Sequence, residues 1–523
     1  MKISPLILIL IVSAVIRFSI ASLPLETAMT RFLIDDAFYG YKMAEGIANG
    51  DGFSNGFGQT NGSQPLWVLI LSFFNLFRSD AEFITRLALL LQAFLGTVNV
   101  AGVFLLGRLI NKKIATIAAA IYGINPMISI IDMNGMETSI TVLVMSVCAH
   151  FYFKNFMKKN LRFPAMLGVI LGLSMLSRLD GVFLLVTLAL HNALTGGKTP
   201  REKVKEIVVF SLIAAFIISS WLFWSYVNFG KLEGSGGVAK YLISHGIYKS
   251  WISIEQQIYT GLNSLVKLIS FIPHYFGAFD FSVYSFIVAA TMSFLIVVGF
   301  FLTKKFRIMI LFTAMLLLFF SFYFLSSGLR YISPTIPYFA IFIGSAIILI
   351  SDKIKVRVFY FLILLIVISA IGGLHVLQNG YAPWQAVLLD GMLWMSENTT
   401  ERDTIASFNS GIYNYMSGRR VLNLDGVVNW EAIEATKDRN VTSYMLSRNV
   451  SYWVDMEFLN SSVHERHLDG KKIEILDEVR WSDIIDKKER LKLLEERYYT
   501  FKSVSGKNVT IVWFVYKVVG NES

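Results

Sequence analysis

Cysteine and charge are what this 523-residue chain has least of. A single cysteine, Cys148, excludes an intramolecular disulfide framework and a cysteine-built zinc site. Charged residues make up 16% of the chain, where about a quarter is usual in soluble domains, and 54% are hydrophobic. Such a composition is that of a membrane protein, and an aromatic share of 14% excludes disordered and coiled-coil classes. The glycine run at 234–237 lacks the Gly-x-x-x-x-Gly-Lys-Ser/Thr pattern, so nothing supports an ATP-driven pump. None of the seven histidines forms a His-x-x-x-His pair, and His464 and His467 read as surface residues rather than metal ligands. No repeat of 20–50 residues is visible, nor are the two halves inverted copies, which weighs against many transporter folds.

What is present is a series of apolar runs near 4–22, 83–110, 114–131, 138–157, 163–177, 181–195, 206–228, 281–302, 306–327, 331–350 and 356–376. They predict a polytopic α-helical membrane protein of about eleven transmembrane helices. Residues 1–376 hold 29 Lys and Arg against 16 Asp and Glu, whereas 377–523 hold 18 against 21. The basic excess thus belongs to the membrane part, where it orients helices and carries no nucleic-acid role. Basic clusters at Lys112/Lys113, Lys154/Lys158/Lys159/Arg162, Lys198/Arg201/Lys203/Lys205, Lys304/Lys305/Arg307 and Lys353/Lys355/Arg357 fall in alternate connections. Placed in the cytoplasm, they put the N-terminus inside and the segments 23–82, 132–137, 178–180, 229–280 and 328–330 outside, with all of 377–523. The sequons at Asn61, Asn398, Asn440, Asn449, Asn460, Asn508 and Asn521 all fall on that outer side, as a glycoprotein requires. Arg17 interrupts the first span, which reads as a retained helix rather than a cleaved signal.

Beyond residue 376 the composition turns mixed. Short apolar runs at Thr404–Phe408, Arg420–Leu424, Val450–Val454 and Thr510–Val518, with a helical stretch at Asp486–Arg497, predict an extracytoplasmic α/β domain over 377–523. The membrane domain is then 1–376, with its first outer loop at 23–82.

That loop holds the most informative residues, Asp35-Asp36-Ala37-Phe38-Tyr39-Gly40-Tyr41, followed by Gly50-Asp51-Gly52-Phe53 and Gln64-Pro65-Leu66-Trp67. Two acids before a helix serve as a cap and a dipole partner, and equally as a general base beside a group that holds the acceptor or a cation. Phe38, Tyr39 and Tyr41 are expected to rest in the membrane interface. The same side carries Asp132, Asn134 and Glu137 in the second outer turn, and Arg178 and Asp180 between two short spans. Charges so close to hydrocarbon cost about 2.5–3.5 kcal/mol each, so they are functional or paired with one another. Lys240 and Arg330 are two further cations, which either snorkel to headgroups or grip a phosphate; Arg suits phosphate because its planar fork binds two oxygens.

With these residues in order, the chain resembles the GT-C superfamily of glycosyltransferases, which use lipid-phosphate-linked sugars. It looks most like the branch of dolichyl-phosphate-mannose-type mannosyltransferases and mycobacterial arabinofuranosyltransferases. The resemblance is carried by the Asp-Asp-aromatic helix, Gly-x-Gly-Phe, Pro-Leu-Trp, Gly135-Met136-Glu137-Thr138, Arg178-x-Asp180-Gly181 and Arg330-Tyr331. Phe408-Asn409-Ser410-Gly411 and Asn423-Leu424-Asp425-Gly426-Val427-Val428-Asn429 are similar to the outer domains of such enzymes. It implies an inverting transfer from a polyprenyl-phosphate sugar to a hydroxyl of a glycan, lipid or protein, at the outer face of the cell membrane. Asp35 or Asp36 would then be the catalytic base, Glu137 and Asp132 acceptor or metal partners, and Arg330, Arg178, Lys240 and Tyr331 the holders of the donor phosphate. A divalent cation fits the expectation without being required by it. The loop 54–63 lacks the Pro-Gly-Glu of many relatives, and 234–237 is glycine-rich where they have a Pro-Asn turn. The competing class is a secondary transporter or lipid flippase, in which the buried charges would line a pathway.

Overall fold

The structure, a computed structural model, describes all residues except 1–3, 158–161, 246–252, 278–282, 326–327, 356, 381–383, 459–463, 469–470, 476–484, 503–507 and 520–523. Lys158, Lys159, Asn460 and Asn521 of the sequence reading lie outside the described residues. Among the described residues, six helices are long and apolar enough to cross a membrane: Ala81–Arg108, Pro200–Phe229, Val283–Leu302, Lys304–Tyr323, Leu329–Ile354 and Val358–Asn379. Two bent pairs raise the number to eight: Pro5–Ala21 with Leu25–Arg31, bent by 96°, and Lys112–Gly123 with Pro126–Asp132, bent by 65°. Both bends fall before a proline, Pro24 or Pro126, where the preceding residue is pushed out of helical geometry.

The expected eleven spans are therefore not all matched. Arg162–Ser177 and Gly181–Leu194 are helical but have 16 and 14 residues, roughly 24 and 21 Å at 1.5 Å per residue, short of ~30 Å of hydrocarbon. Thr138–Asn155 carries Ser146, His150 and Lys154 and also falls outside the set. Unforeseen from sequence is the helix Ile254–His274, whose Ile254, Ile258, Leu262, Val266 and Ile269 form one exposed apolar stripe at near four-residue spacing.

The C-terminal part is a small sheet domain. Its strands are β1 (Thr404–Ser407), β2 (Arg420–Asn423), β3 (Val450–Phe458), β4 (His464–Leu468), β5 (Lys471–Ile475), β6 (Leu491–Lys502) and β7 (Asn508–Val518). The main sheet runs β2-β1-β3-β7-β6; β1 is parallel to both β2 and β3, and β7 pairs antiparallel with β3 and β6. The pair β4-β5 stands apart. The chain leaves β1 toward β2 on one side and returns to β3 on the other, so the carboxyl end of β1 is a topological switch point. The helix expected over Asp486–Arg497 is instead mostly β6. Its Glu, Lys and Arg content favours a helix locally, but its ladder to β7 runs from Leu491↔Val518 to Lys502↔Asn508, and Tyr498-Tyr499-Thr500-Phe501 are good strand formers.

Candidate active site

The helix Asp35–Ala48 begins with both acids in its first turn, where carboxylates complement the positive end of the helix dipole. Its aromatic residues do not face lipid. Phe38, Tyr39 and Tyr41 are at most 5% exposed. Phe38 and Tyr41 pack edge-on at 5.5 Å, Tyr41 meets Tyr415 of the tail at 5.6 Å, and the Tyr41 hydroxyl donates to the Gly135 carbonyl at 3.0 Å. The neighbouring helix Pro65–Asn75 and the turn after it expose Leu69, Phe73, Leu76 and Phe77 instead.

The turn 133–137 is pinned against that aromatic wall. The Gly135 carbonyl also accepts from Trp67 Nε1 at 3.0 Å, and the side chain of Gln92 bonds both Gly135 N–H and the Met136 carbonyl. Only glycine suits position 135: its φ is +86°, and a Cβ there would lie 2.7 Å from Ala37 Cβ and from Tyr41 Oη.

The two adjacent acids have different fates. Asp35 is 8% exposed and points into the sheet domain, where its carboxylate accepts the backbone N–H groups of Gly411 at 3.1 Å and Ile412 at 2.7 Å. Those amides open the short helix Gly411–Met416 after β1, so the switch-point crevice of the sheet is filled by a carboxylate of the membrane part. Asp455 of β3, fully buried, holds the same loop by accepting from Phe408 N and from Asn409 Nδ2 at 2.8 Å. Burial drives the Asp35 carboxyl up to about 7, against the two backbone donors and with a contribution from Asp36.

Asp36 turns the other way, its side chain 45% exposed, and forms an ion pair of 2.8 Å with Arg330 Nη2. Burial would raise its pKa, but the charges of Arg330 and Lys240 hold it below the usual carboxylate range. Arg330 also touches Met136 Sδ. Lys240 lies on the helix Ser235–Ser244, donates to the Tyr331 hydroxyl and sits 4.6 Å above the Tyr331 ring, which is stacked on Phe320 at 4.1 Å. Burial first, then the nearby Arg330 charge, brings the Lys240 ammonium down to about 7.

Arg178 stands one layer deeper. It is 5% exposed and engaged with Asp180 Oδ2 at 2.5 Å, Glu137 Oε1 at 4.0 Å and the Arg330 carbonyl at 3.0 Å. Its bond to the Arg330 carbonyl ties it to Arg330, and Glu137, 5% exposed, belongs to the same buried group. Burial raises the Glu137 carboxyl, and Arg178 and Arg330 draw it back.

Asp132 is not brought to this group. Its Oδ2 accepts from Tyr122 at 2.8 Å and faces Arg17 Nη2 at 3.7 Å inside the helix bundle. The pair answers the charge that interrupts the first span: Arg17, fully buried, also donates to Ser13 Oγ and the Gly123 carbonyl. Asp132 is thus engaged with a buried arginine of the bundle and lies apart from the Asp36–Arg330 pair.

The sequence reading missed Asp425, on the turn after β2. Asn423 Nδ2 donates to Tyr39 Oη at 3.3 Å and Ser410 Oγ at 2.9 Å, seating that turn on the Asp-Asp helix. Burial, with Asp36 and Asp35 nearby, raises the Asp425 carboxyl to about 8. The only sequence signal was the resemblance of 423–429 to outer domains.

The donor set does not make a cation cage. Asp35 spends both oxygens on backbone N–H groups, Asp36 is paired with Arg330, and no group of three or more His, Cys, Asp or Glu converges on one point among the described residues. The possible divalent cation thus meets no such ligand group among the described residues.

Sequon Asn61 is 3% exposed, and its Nδ2 donates to Ser225 Oγ at 2.6 Å and the Glu233 carbonyl at 2.9 Å, which closes it to modification in the folded protein. Asn398, Asn440 and Asn449 are exposed on the tail.

Comparison with known proteins agrees with this architecture. Residues 64–224 match the dolichyl-phosphate-mannose-protein mannosyltransferase family, and residues 379–511 match a domain of unknown function, DUF8728. No curated protein sequence matches the chain significantly. Among solved structures, ArnT from Cupriavidus metallidurans aligns over 97% of both chains, at 12% identity and TM-score 0.54 in the apo state and at 11% and 0.55 bound to undecaprenyl phosphate. The oligosaccharyltransferase of Archaeoglobus fulgidus aligns over 86% of this chain and 69% of its own, at 14% identity and TM-score 0.49. The family match across 64–224 and the end-to-end likeness to ArnT identify the chain as a multi-pass membrane protein with the GT-C glycosyltransferase fold.

Proposed function

We propose that the protein transfers a sugar from a polyprenyl-phosphate donor to a hydroxyl acceptor, with inversion at the anomeric carbon, at the outer face of the cell membrane. The observation that carries this reading is the Asp36–Arg330 pair, a half-exposed carboxylate and an arginine with Lys240 beside them, where the apolar helices meet the sheet domain. Residues 1–376 then form the catalytic membrane domain and 377–523 an extracytoplasmic domain. The alternation of basic connections supports a cytoplasmic N-terminus and an outer sheet domain.

A sugar on a polyprenyl phosphate already carries a good leaving group, so the reaction needs cations for the departing phosphate and one base for the acceptor. Arg330 and Lys240 take the phosphate. In doing so Arg330 turns part of its charge away from Asp36, whose proton affinity rises at the moment a base is needed. The acceptor hydroxyl gives its proton to Asp36, its oxygen bonds to the anomeric carbon from the opposite face, and the C–O bond to the phosphate breaks with its electrons. Polyprenyl phosphate leaves as an anion on the two cations. Asp35 takes no part in the proton transfer: its oxygens are held by Gly411 and Ile412, and its work is to fix the first turn that presents Asp36.

Lys240 gives this site a pH signature. Its ammonium is charged below about 7 and loses its proton as pH rises through that value. The donor is a phosphodiester and stays anionic throughout, so its KM should rise roughly tenfold between pH 7 and pH 8.5 as the free lysine neutralises. Lys240→Arg should flatten that rise. Purified protein, radiolabelled polyprenyl-phosphate sugars and a panel of glycoside acceptors test the whole reading. Transfer of label is expected, and its absence with every donor in the panel would refute it.

A further inference from the structure

We propose that Asn61 is a positioning residue for the donor phosphate: it holds the start of the helix that carries Lys240, and so sets where the ammonium sits. The inference rests on the glycosyl-transfer reading above and deepens it. The helix Ser235–Ser244 has little to hold itself in place. It has ten residues, it follows Gly234, which offers no side-chain cap, and it contains Gly236 and Gly237, which loosen a helix. Its first N–H, that of Ser235, is received from another part of the chain, by Asn61 Oδ1 at 2.9 Å. The same oxygen accepts from Trp430 Nε1 of the sheet domain at 3.0 Å. Asn61 Nδ2 donates to Ser225 Oγ at 2.6 Å and to the Glu233 carbonyl at 2.9 Å. Two bonds accepted and two donated use the whole capacity of an asparagine side chain. One buried amide thus joins the first outer loop, the helix Pro200–Phe229, the Lys240 helix and the sheet domain.

The glycine run at 234–237, which matches no nucleotide motif, has its reason here. A Cβ on Gly234 would lie 2.9 Å from the Asn61 carbonyl oxygen, and one on Gly236 would lie 2.8 Å from the Gly62 carbonyl oxygen. A Cβ on Gly62 would in turn overlap the Val427 carbonyl, which accepts from Ser235 Oγ at 2.8 Å. Glycine lets the two backbones approach closely enough for Asn61 to reach the Ser235 N–H. Lys240 follows five residues later, roughly 7.5 Å along the axis at 1.5 Å per residue, and its ammonium donates to the Tyr331 hydroxyl. The lysine is therefore held at its tip by Tyr331 and at the root of its helix by Asn61. A tilt at Ser235 would carry the ammonium away from Arg330 and from the phosphate the two cations share. Asn61-Gly62-Ser63 also spells a sequon, but all four bonds and the 3% exposure assign the amide to this joint rather than to a glycan.

The test is a double-mutant cycle on undecaprenyl phosphate binding, with the full chain in nanodiscs. Asn61→Ala should weaken binding about tenfold in the wild-type background and less than twofold in a Lys240→Ala background, because a misplaced lysine matters only where the lysine is present. Asn61→Asp keeps the two accepting bonds, puts a negative charge at a helix N-terminus, where it is favoured, and loses the donated bonds. It should recover part of the loss, binding about threefold more weakly than wild type, and it carries the same cycle if Asn61→Ala does not fold. Ser63→Ala removes the sequon without touching Asn61 and should bind as wild type does. A loss of the same size with and without Lys240 would overturn the assignment, since Asn61 would then support the fold at large. So would wild-type affinity in both Asn61 variants, a loss reproduced by Ser63→Ala, or undecaprenyl phosphate that fails to bind wild type. These readouts need no turnover, whereas the transferase reading stands or falls on sugar transfer by wild type and by Asp36→Asn.

Discussion

Asp36→Asn is expected to lower sugar transfer by about 10²- to 10⁴-fold, the usual contribution of a positioned general base. The variant is nearly isosteric, keeps a polar contact to Arg330 and leaves the helix start intact, so its fold should match wild type by circular dichroism. Asp35→Asn separates the two acids by mechanism rather than by size of loss. There an amide N–H₂ group replaces an acceptor that faced a backbone N–H, so the sheet domain should loosen on its support while the pH dependence of whatever transfer remains is unchanged. If Asp36→Asn turned over like wild type and Asp35→Asn were inert but folded, the roles assigned to the two acids would have to be exchanged.

Gly411→Ala is expected to be as damaging as the loss of the base, from a residue with no side chain. A Cβ at this position would lie 2.2 Å from the Asp35 carbonyl oxygen and 2.8 Å from its carboxyl carbon. Backbone cannot yield to that extent, so the first turn of the Gly411–Met416 helix must lift and give up both N–H bonds to Asp35, each worth about 1.5–3 kcal/mol as a bond to a charged group. Transfer should fall at least a hundredfold, and amide hydrogen exchange should rise in 35–48 and 408–416 together. Gly58→Ala is the control, since nothing stands within 4 Å of its Cβ position. Exchange confined to 408–416, with activity kept, would mean that docking of the sheet domain does not position Asp36.

Much of this site was legible because basic clusters fall in alternate connections between the apolar runs, which sorts the remaining connections into one group. That reasoning put Asp36, Glu137, Arg178, Lys240 and Arg330 on one side, and the structure gathers those five at one end of the helices. It failed where a charge had a partner far away in sequence. Asp132 looked like a site acid because Arg17, 115 positions earlier, shows only as an interruption of the first span. Asp35 and Asp36 are indistinguishable as letters, and only the helical turn of about 100° between neighbours sends one to the sheet domain and the other to Arg330. The β6 strand was hidden by charged residues whose local preference is helical and whose ladder to β7 is a tertiary fact. Asp425 was passed over because a single acid in a turn has an ordinary reading as an Asx cap, and its nearness to Asp36 and Asp35 is a tertiary fact.

The central claim is that Arg330 divides its charge between Asp36 and the donor phosphate. Equilibrium binding of undecaprenyl phosphate to Asp36→Asn tests it most directly, because the variant removes the carboxylate that competes with the phosphate for the arginine. The account predicts that this variant binds the phosphate lipid about tenfold more tightly than wild type, roughly 1.4 kcal/mol, while Arg330→Ala binds it more weakly. Equal or weaker binding by Asp36→Asn would contradict it, since Arg330 would then be serving the carboxylate alone.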